Sequence, residues 1–273
     1  LLPDNLLLAL GELVIVIVFA LAAIKAGALD RGGFLASVAV GYAIFLGGGW
    51  VWFVVIATFF ILGVGFTWYK YEHKTKIGGA QEKGGARNWP NILANGGVPA
   101  LFALGELVFG GAAFAVLYLG AMSAAASDTV ATELGLLNKS PPRLITRLDR
   151  TVTPGTSGGV TGLGFTGSII ASLAIGTIAG VLGIIRNVSP IMIIVVAVAG
   201  GLAGSIADSL VGATFQRKGV CAVCGKPTEN LVHCGRPTIR KSGVAFVDNN
   251  IVNLLATVVG AAAALALAAV VVF

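Results

Sequence analysis

Charge is scarce in this sequence. Asp, Glu, Lys and Arg make up 11% of its 273 residues, less than half the roughly 25% of a soluble domain. That shortage excludes an ordinary water-soluble enzyme, and no soluble domain has room beside the apolar segments. No Gly-Lys-Ser/Thr follows a glycine-rich loop, which excludes a Walker A nucleotide site. There is no clear internal repeat. No basic segment precedes the first apolar run at 6–24, so that run reads as a membrane span and not as a cleaved leader. The three cysteines all fall in one connection.

What the chain has in quantity is apolar sequence: 56% hydrophobic residues, a mean hydropathy of +0.93 and 39 glycines. Bilayer rules therefore govern it, with glycines serving close helix approach or irregular backbone around a site. The expected fold is all-α: a single membrane domain over 1–273 built as a polytopic helix bundle, with about eight spans (seven to nine) at ~20 residues each, some short or broken. The spans read at about 5–25, 33–47, 50–67, 90–108, 111–127, 161–185, 189–214 and 248–272. The second and third meet at Gly47, Gly48 and Gly49, either as a re-entrant pair or as two tilted helices.

The basic residues test that count. Lys25 and Arg31 follow span one; Lys70, Lys74, Lys76, Lys83 and Arg87 follow span three. Lys139, Arg143, Arg147 and Arg150 follow span five; Arg217, Lys218, Lys226, Arg236, Arg240 and Lys241 follow span seven. Only Arg186 lies in an even-numbered connection. The positive-inside rule then expects the odd connections in the cytoplasm and both ends of the chain on the outer side. The long connections 68–89, 128–160 and 215–247 are all on the inner side, where any chemistry is expected. The chain's net charge is +6 and its basic residues lie in loops between spans, so the charge reads as topology, not as a nucleic-acid surface.

Five polar motifs approach that inner face. Asn95-Gly96-Gly97 sits just inside span four, after Arg87-Asn88-Trp89-Pro90-Asn91. Asp128 ends span five, with Thr129, Thr132 and Glu133 beyond it; oxygen ligands of this kind suit Mg²⁺, which keeps waters and substrate phosphate in its shell. The run Thr151 to Thr161 contains Thr153, Gly155, Thr156, Ser157, Gly158 and Gly159, small residues whose backbone N–H groups can gather round an anion ahead of a helix N-terminus. Asp208 lies within span seven, and an acid inside a membrane span points to function by default. Asp248-Asn249-Asn250 opens span eight, with Asn253 one turn on. Each motif has a structural reading: kinked helix, helix-end carboxylate, flexible linker, packing residue and N-cap. Their convergence on one leaflet is what points to a site. Apart from them, Cys221, Cys224, His233 and Cys234 in the loop 221–234 suit zinc, a redox pair or free thiols, and an inner location disfavours structural disulfides.

Taken in order, Asn95-Gly96-Gly97, Ser127-Asp128-Thr129 through Glu133-Leu134-Gly135, Thr153 through Gly159, Asp208-Ser209 and Asp248-Asn249-Asn250 resemble an integral-membrane family. That family includes the plastid phytyl-phosphate kinase, a relative of CTP-dependent phytol and dolichol kinases; this chain resembles its prokaryotic members. The resemblance implies phosphoryl transfer from CTP to a prenyl monophosphate of the phytyl or geranylgeranyl type, giving the diphosphate at the cytoplasmic membrane face. On that reading Asp128, Asp208 and Asp248 hold Mg²⁺, with Glu133 and Asn249 beside them. The 153–159 loop and Asn95, Gly96 and Gly97 cradle the nucleotide phosphates, and Lys83, Arg87 and Arg147 balance charge. The expected partners are membrane lipid, the prenyl phosphate and a nucleoside triphosphate, with structural Zn²⁺ a further candidate. Two alternatives remain at this point: a nucleotidyltransferase making a CDP-lipid, and an ion or small-solute transporter with broken helices.

Overall fold

A computed structural model of the chain describes residues 4–81, 83–225, 227–229 and 231–272, so Lys226 lies outside the described residues. The helices are α1 (Asp4–Lys25), α2 (Arg31–Trp68), a short α3 (Tyr71–Lys76), α4 (Trp89–Phe109), α5 (Ala112–Gly135), α6 (Gly162–Val181), α7 (Pro190–Thr214) and α8 (Asn249–Val271). Seven of them, all but α3, are long and apolar enough to cross a membrane.

The eight expected spans become seven helices because α2 joins the second and third. At 38 residues a straight α2 would run about 57 Å at ~1.5 Å per residue, against a hydrocarbon core of ~30 Å. It folds back on itself instead. Gly49 has φ 72° and ψ −167°, a conformation open to glycine because it lacks a Cβ. Beyond it, Phe53 stacks on Phe45 with ring centroids 5.1 Å apart. Gly33 and Gly63, from the two ends of α2, both pack against Arg87. The helix is therefore an antiparallel pair of limbs, which gives eight limbs among the described residues.

The connections at the end where α1 finishes and α8 starts are not plain loops. In the second long connection, β1 (Arg143–Leu144), β2 (Arg147–Thr151) and β3 (Gly159–Val160) form an antiparallel sheet in the order β2-β1-β3. In the third, β4 (Lys218–Cys221), β5 (Pro227–Thr228), β6 (Val232–His233) and β7 (Arg236–Ser242) form a second sheet in the order β5-β4-β7-β6. Five of the strands have two to four residues, and the two longer ones, β2 and β7, are almost wholly exposed, so no two-residue apolar alternation marks them in the sequence.

The core sits around α5, whose residues 118–127 are all buried. A helix apolar on every face belongs in the middle of a bundle, and α5 packs on α2, α4, α6, α7 and α8. Three glycines mark the tightest crossing. A Cβ on Gly200 would lie 2.8 Å from the Gly260 carbonyl oxygen and 2.9 Å from the Gly120 Cα. One on Gly260 would meet the Gly120 and Gly200 carbonyl oxygens at 2.8 and 2.9 Å. Helices in lipid associate by such close packing, since water does not drive them together. Buried hydroxyls flank the crossing: Ser123 Oγ donates to the Ala197 carbonyl at 2.6 Å, and Ser127 Oγ to the Ser168 carbonyl at 3.0 Å.

A methyl group at the crossing has no space. Gly260→Ala should destabilise the bundle by about 1–3 kcal/mol, the usual cost of overpacking. Gly11→Ala, where nothing lies within 4 Å, should leave the protein unchanged or stabilise it by ~0.5–1 kcal/mol. Thermal unfolding in detergent distinguishes the two.

Candidate active site

At the end of the bundle that carries both sheets, the helix ends enclose a cavity of about 910 Å³, within the range of small-molecule sites. Its walls differ in chemistry. On the first wall, Asp128 of α5 and Asp208 of α7 face one another closely enough to share a hydrogen bond. Two carboxylates so placed repel unless a proton or a cation lies between them. Asn253 of α8 steadies this pair. With its amide oriented to satisfy its neighbours, it donates to Asp208 Oδ2 and to the Asn249 carbonyl, each at 3.1 Å, and accepts from Asn95 Nδ2 at 3.3 Å. Asn95 Nδ2 also donates to the Asn91 carbonyl at 3.0 Å. An asparagine relay thus ties α4 and α8 to the acid pair. Behind it Ser168 and Ser205 share a hydroxyl contact of 3.0 Å.

The second wall is made of glycines, small hydroxyl residues and backbone N–H groups. Residues 154–159 and the start of α6 line the cavity. The α6 N-cap, Thr161, accepts from the Gly164 N–H at 2.9 Å, which leaves other N-terminal N–H groups of the helix facing the opening. Gly155 and Gly158 have φ of +82° and +80°. Gly158 also approaches α7 so closely that a Cβ would sit 2.7 Å from the Ala213 nitrogen; both constraints require glycine. The Ile145 N–H holds the loop through the Gly158 carbonyl at 2.9 Å.

Lys83 and Arg87 supply the third wall. The Arg87 backbone is pinned to the α1–α2 turn: its N–H donates to Ala28 at 2.9 Å, and its carbonyl accepts from the Asp30 N–H at 3.1 Å. Its guanidinium is largely enclosed, near the Phe60 ring at 5.8 Å. Burial draws its pKa below the ordinary arginine value, opposed by the charge of Glu133. Arg87 Nη1 is buried and has no hydrogen-bond partner among the described residues, a donor available to a ligand. Lys83 is more exposed and sits 3.4 Å from Asp30 Oδ2.

Several expected site residues lie elsewhere. Glu133 is turned from Asp128 because five helical residues rotate a side chain by about 140°. It is buried against α2 and α3, 2.5 Å from Lys74 Nζ, and accepts from Thr67 Oγ1 at 3.0 Å. Asp248 is the exposed N-cap of α8, accepting from the Asn250 and Ile251 N–H groups, both at 3.0 Å. Gly96 packs on Val40, where a Cβ would meet Cγ1 at 2.8 Å, and neither it nor Gly97 lines the cavity. Arg147 lies on β2, exposed, 3.6 Å from Asp149. Thr153 bonds across its own loop to Thr156 Oγ1 at 2.9 Å. Asn249 does line the cavity, as do Gly155, Thr156, Ser157, Gly158 and Gly159.

Sequence reading passed over Glu229 and Gln216. Glu229 enters the cavity from the second sheet, accepting from Ser157 Oγ and, at 2.6 Å, from Gln216 Nε2. Burial pushes its carboxyl above the ordinary range, while Ser157 and Lys218 oppose that shift. Nothing in its neighbourhood, a polar turn between cysteines, distinguishes it before folding. The oxygens of Asp128 and Asp208, with the amides beside them, fit a hard divalent cation that also takes phosphate and water. In the same sheet, ligand atoms of Cys221, Cys224, His233 and Cys234 lie within 4.8 Å of one another.

Comparison with known proteins follows the same length of chain. The sequence model of the family described as "Integral membrane protein DUF92" matches residues 14–261. An uncharacterized membrane protein of Methanocaldococcus jannaschii is 33% identical over 257 residues, covering 94% of this chain and 93% of that protein. Protein PGR of Arabidopsis thaliana is 30% identical over 257 residues, covering 85% and 86%. Protein VTE6, chloroplastic, of the same plant is 29% identical over 171 residues, covering 61% of this chain and 50% of its own. No solved structure matches.

The Lys74–Glu133 pair yields a stability prediction. Removing one member of a buried pair strands the other charge, at about 3–5 kcal/mol. Lys74→Met should therefore lower the unfolding temperature in detergent sharply, and Lys74→Met with Glu133→Leu should recover most of the loss.

Proposed function

The chain belongs to the DUF92 family of integral membrane proteins, and on that premise we propose that it is a membrane phosphotransferase. It moves the γ-phosphoryl group of a nucleoside triphosphate, CTP by family resemblance, onto a prenyl monophosphate. The observation that carries this reading is that the Asp128–Asp208 pair lines one cavity with the glycine-rich 154–159 loop, the start of α6 and Arg87. Acids and an anion site are mutually hostile unless a cation lies between them. Mg²⁺ held by Asp128 and Asp208, with Asn249 or Asn253 nearby, would supply that bridge and neutralise triphosphate charge.

The chain's own groups do the rest by positioning and electrostatics, which is most of what phosphoryl transfer asks of a protein. The 154–159 loop and the N-terminus of α6 bind phosphate oxygens. Arg87 directs its unpartnered Nη1 at charge that builds up as the γ-phosphorus leaves the β-phosphate oxygen for an oxygen of the acceptor phosphate. The acceptor is already ionised, so no strong general base is required, and no histidine lines the cavity among the described residues. A second, apolar slot of about 60 Å³ opens between α1, α2 and α4, lined by Val16, Phe19, Val40 and Phe53. It shares Arg87, Asn91 and Asn95 with the polar cavity. That adjacency supports a substrate with a phosphate head and a hydrocarbon tail. Among the described residues, the cavity lies at the end of the bundle that carries every Lys and Arg except Arg186, which supports a cytoplasmic site.

The test is incubation of the purified chain with Mg²⁺, γ-labelled CTP and geranylgeranyl or phytyl monophosphate, followed by mass spectrometry of the lipid. The expected product is the diphosphate carrying the γ-label. A CDP-lipid with label lost as pyrophosphate would overturn the kinase reading in favour of nucleotidyl transfer; solute uptake into liposomes without lipid product would favour a transporter. Asp128→Asn or Asp208→Asn should lower the rate at least ~100-fold, the scale of losing one charge-stabilising group. Asp248→Asn, which preserves an N-cap, should stay within a few-fold of wild type.

A further inference from the structure

We propose that Cys221, Cys224, His233 and Cys234 form a structural Zn²⁺ site whose role is to hold Glu229 against the phosphate-binding loop. The four ligand atoms come from two turns of the second sheet and lie within 4.8 Å of one another. The first turn leaves β4 at Cys221, where Sγ accepts from the Val223 N–H at 3.4 Å, an arrangement that prepares a thiolate for a metal. The second turn joins β6 to β7. Its Cys234 has a φ of 52° and is followed by Gly235 at 71°. A non-glycine residue in that region costs ~1–3 kcal/mol and persists only where its surroundings hold it. His233 offers Nδ1, which lies 3.2 Å from Cys234 Sγ and 3.6 Å from Cys224 Sγ.

Apolar burial does little to hold this geometry. Strands β5 and β6 are two residues each, and Val223, Leu231, Val232 and Ile239 are all exposed. Sheets this short need a staple where apolar burial is missing. Three sulfurs and an imidazole are soft and borderline donors, suited to tetrahedral zinc and not to Mg²⁺. Binding displaces three thiol protons and leaves the ZnS₃N unit with one negative charge, in a sheet that also carries Lys218, Arg236, Arg240 and Lys241.

Glu229 lies between the two turns, five residues after Cys224 and four before His233. Its carboxylate accepts from Ser157 Oγ in the anion-binding loop and from Gln216 Nε2 at 2.6 Å. Its carbonyl accepts from Arg217 Nη1 at 3.2 Å. A metal in the turns thus fixes the segment that closes one side of the cavity. This inference concerns the metal and the loop, and stands whichever reaction the cavity performs.

The full chain in detergent, purified without chelator and then offered Zn²⁺, should carry about one zinc per chain by elemental analysis. Co²⁺ in its place should give the intense visible bands of a tetrahedral, sulfur-rich site. Cys224→Ser and Cys234→Ser, both at exposed positions, should lose most of the metal while the bundle helices keep their protection from hydrogen exchange. Removing the metal should raise exchange in 218–242 and in 153–159; Glu229→Gln should loosen 153–159 with zinc retained. The proposal fails if wild type binds no zinc, if it holds iron in preference, if Cys221 and Cys224 map as a disulfide, or if Cys224→Ser binds as much as wild type. Unchanged exchange in 153–159 after zinc removal would overturn the link to Glu229.

Discussion

The backbone contact among Gly120, Gly200 and Gly260 sets the geometry on which the site depends. It brings α5, α7 and α8 together with no side chain larger than the methyl groups of Ala124 and Ala264 beside the contact. From that crossing α5 and α7 both run toward the cavity. Asp128 is eight residues beyond Gly120, and Asp208 is eight residues beyond Gly200. At ~1.5 Å per residue each carboxyl therefore sits about 12 Å above the crossing, at matching height and after the same rotation. Helix α8 runs the other way, and Asn253 is seven residues before Gly260, which brings its amide to the same level. A second close approach, where a Cβ on Gly204 would meet the Ala124 Cβ at 2.3 Å, keeps the register between crossing and site.

The polar interior has to be complete because lipid offers no alternative partners. The serines between the crossing and the acids bond to carbonyls of neighbouring helices. The asparagine relay satisfies one side of Asp208. Lys74 reaches back from α3 to the Phe66 carbonyl at 2.6 Å and to Glu133 at 2.5 Å. Thr67 stands between that pair and Arg87. These interactions hold the end of α2, the short α3 and the base of α5 together, and so fix the wall from which Arg87 faces the cavity. Among the described residues, Ser37 Oγ, Arg87 Nη1 and Glu106 Oε2 are buried without a hydrogen-bond partner, and of these residues Arg87 lines the same cavity as Asp128 and Asp208.

Sequence reading singled out Asp128 and Asp208 through a single argument, the cost of a carboxylate in hydrocarbon. The same argument assigned Glu133 to the site, and there it could not discriminate; Asp248 was assigned from the run of polar residues that opens span eight and from the convergence of the motifs on one leaflet. Glu133 meets its cost through Lys74, 59 residues away along the chain, a partner that only folding supplies. Asp248 meets its own through two N–H groups of the next turn, which is local and was one of the readings its position allowed. Gly49 was visible as part of a glycine run between two apolar stretches, but its left-handed φ is what turns that run into a reversal. Glu229 was invisible because a polar loop acid has no periodicity and no hydrophobic context to give it away.

Composition, the spacing of apolar runs and the placement of basic residues were enough to establish a multi-pass helical membrane protein with its long polar connections at one end. Those properties follow from transfer energies and charge placement, which act on segments independently of their neighbours. Tertiary structure alone decided which acids meet, which are neutralised by a lysine or capped by backbone, and which loop residue closes the cavity. These outcomes depend on helix rotation and on contacts between groups far apart in the chain, and a one-dimensional pattern carries neither.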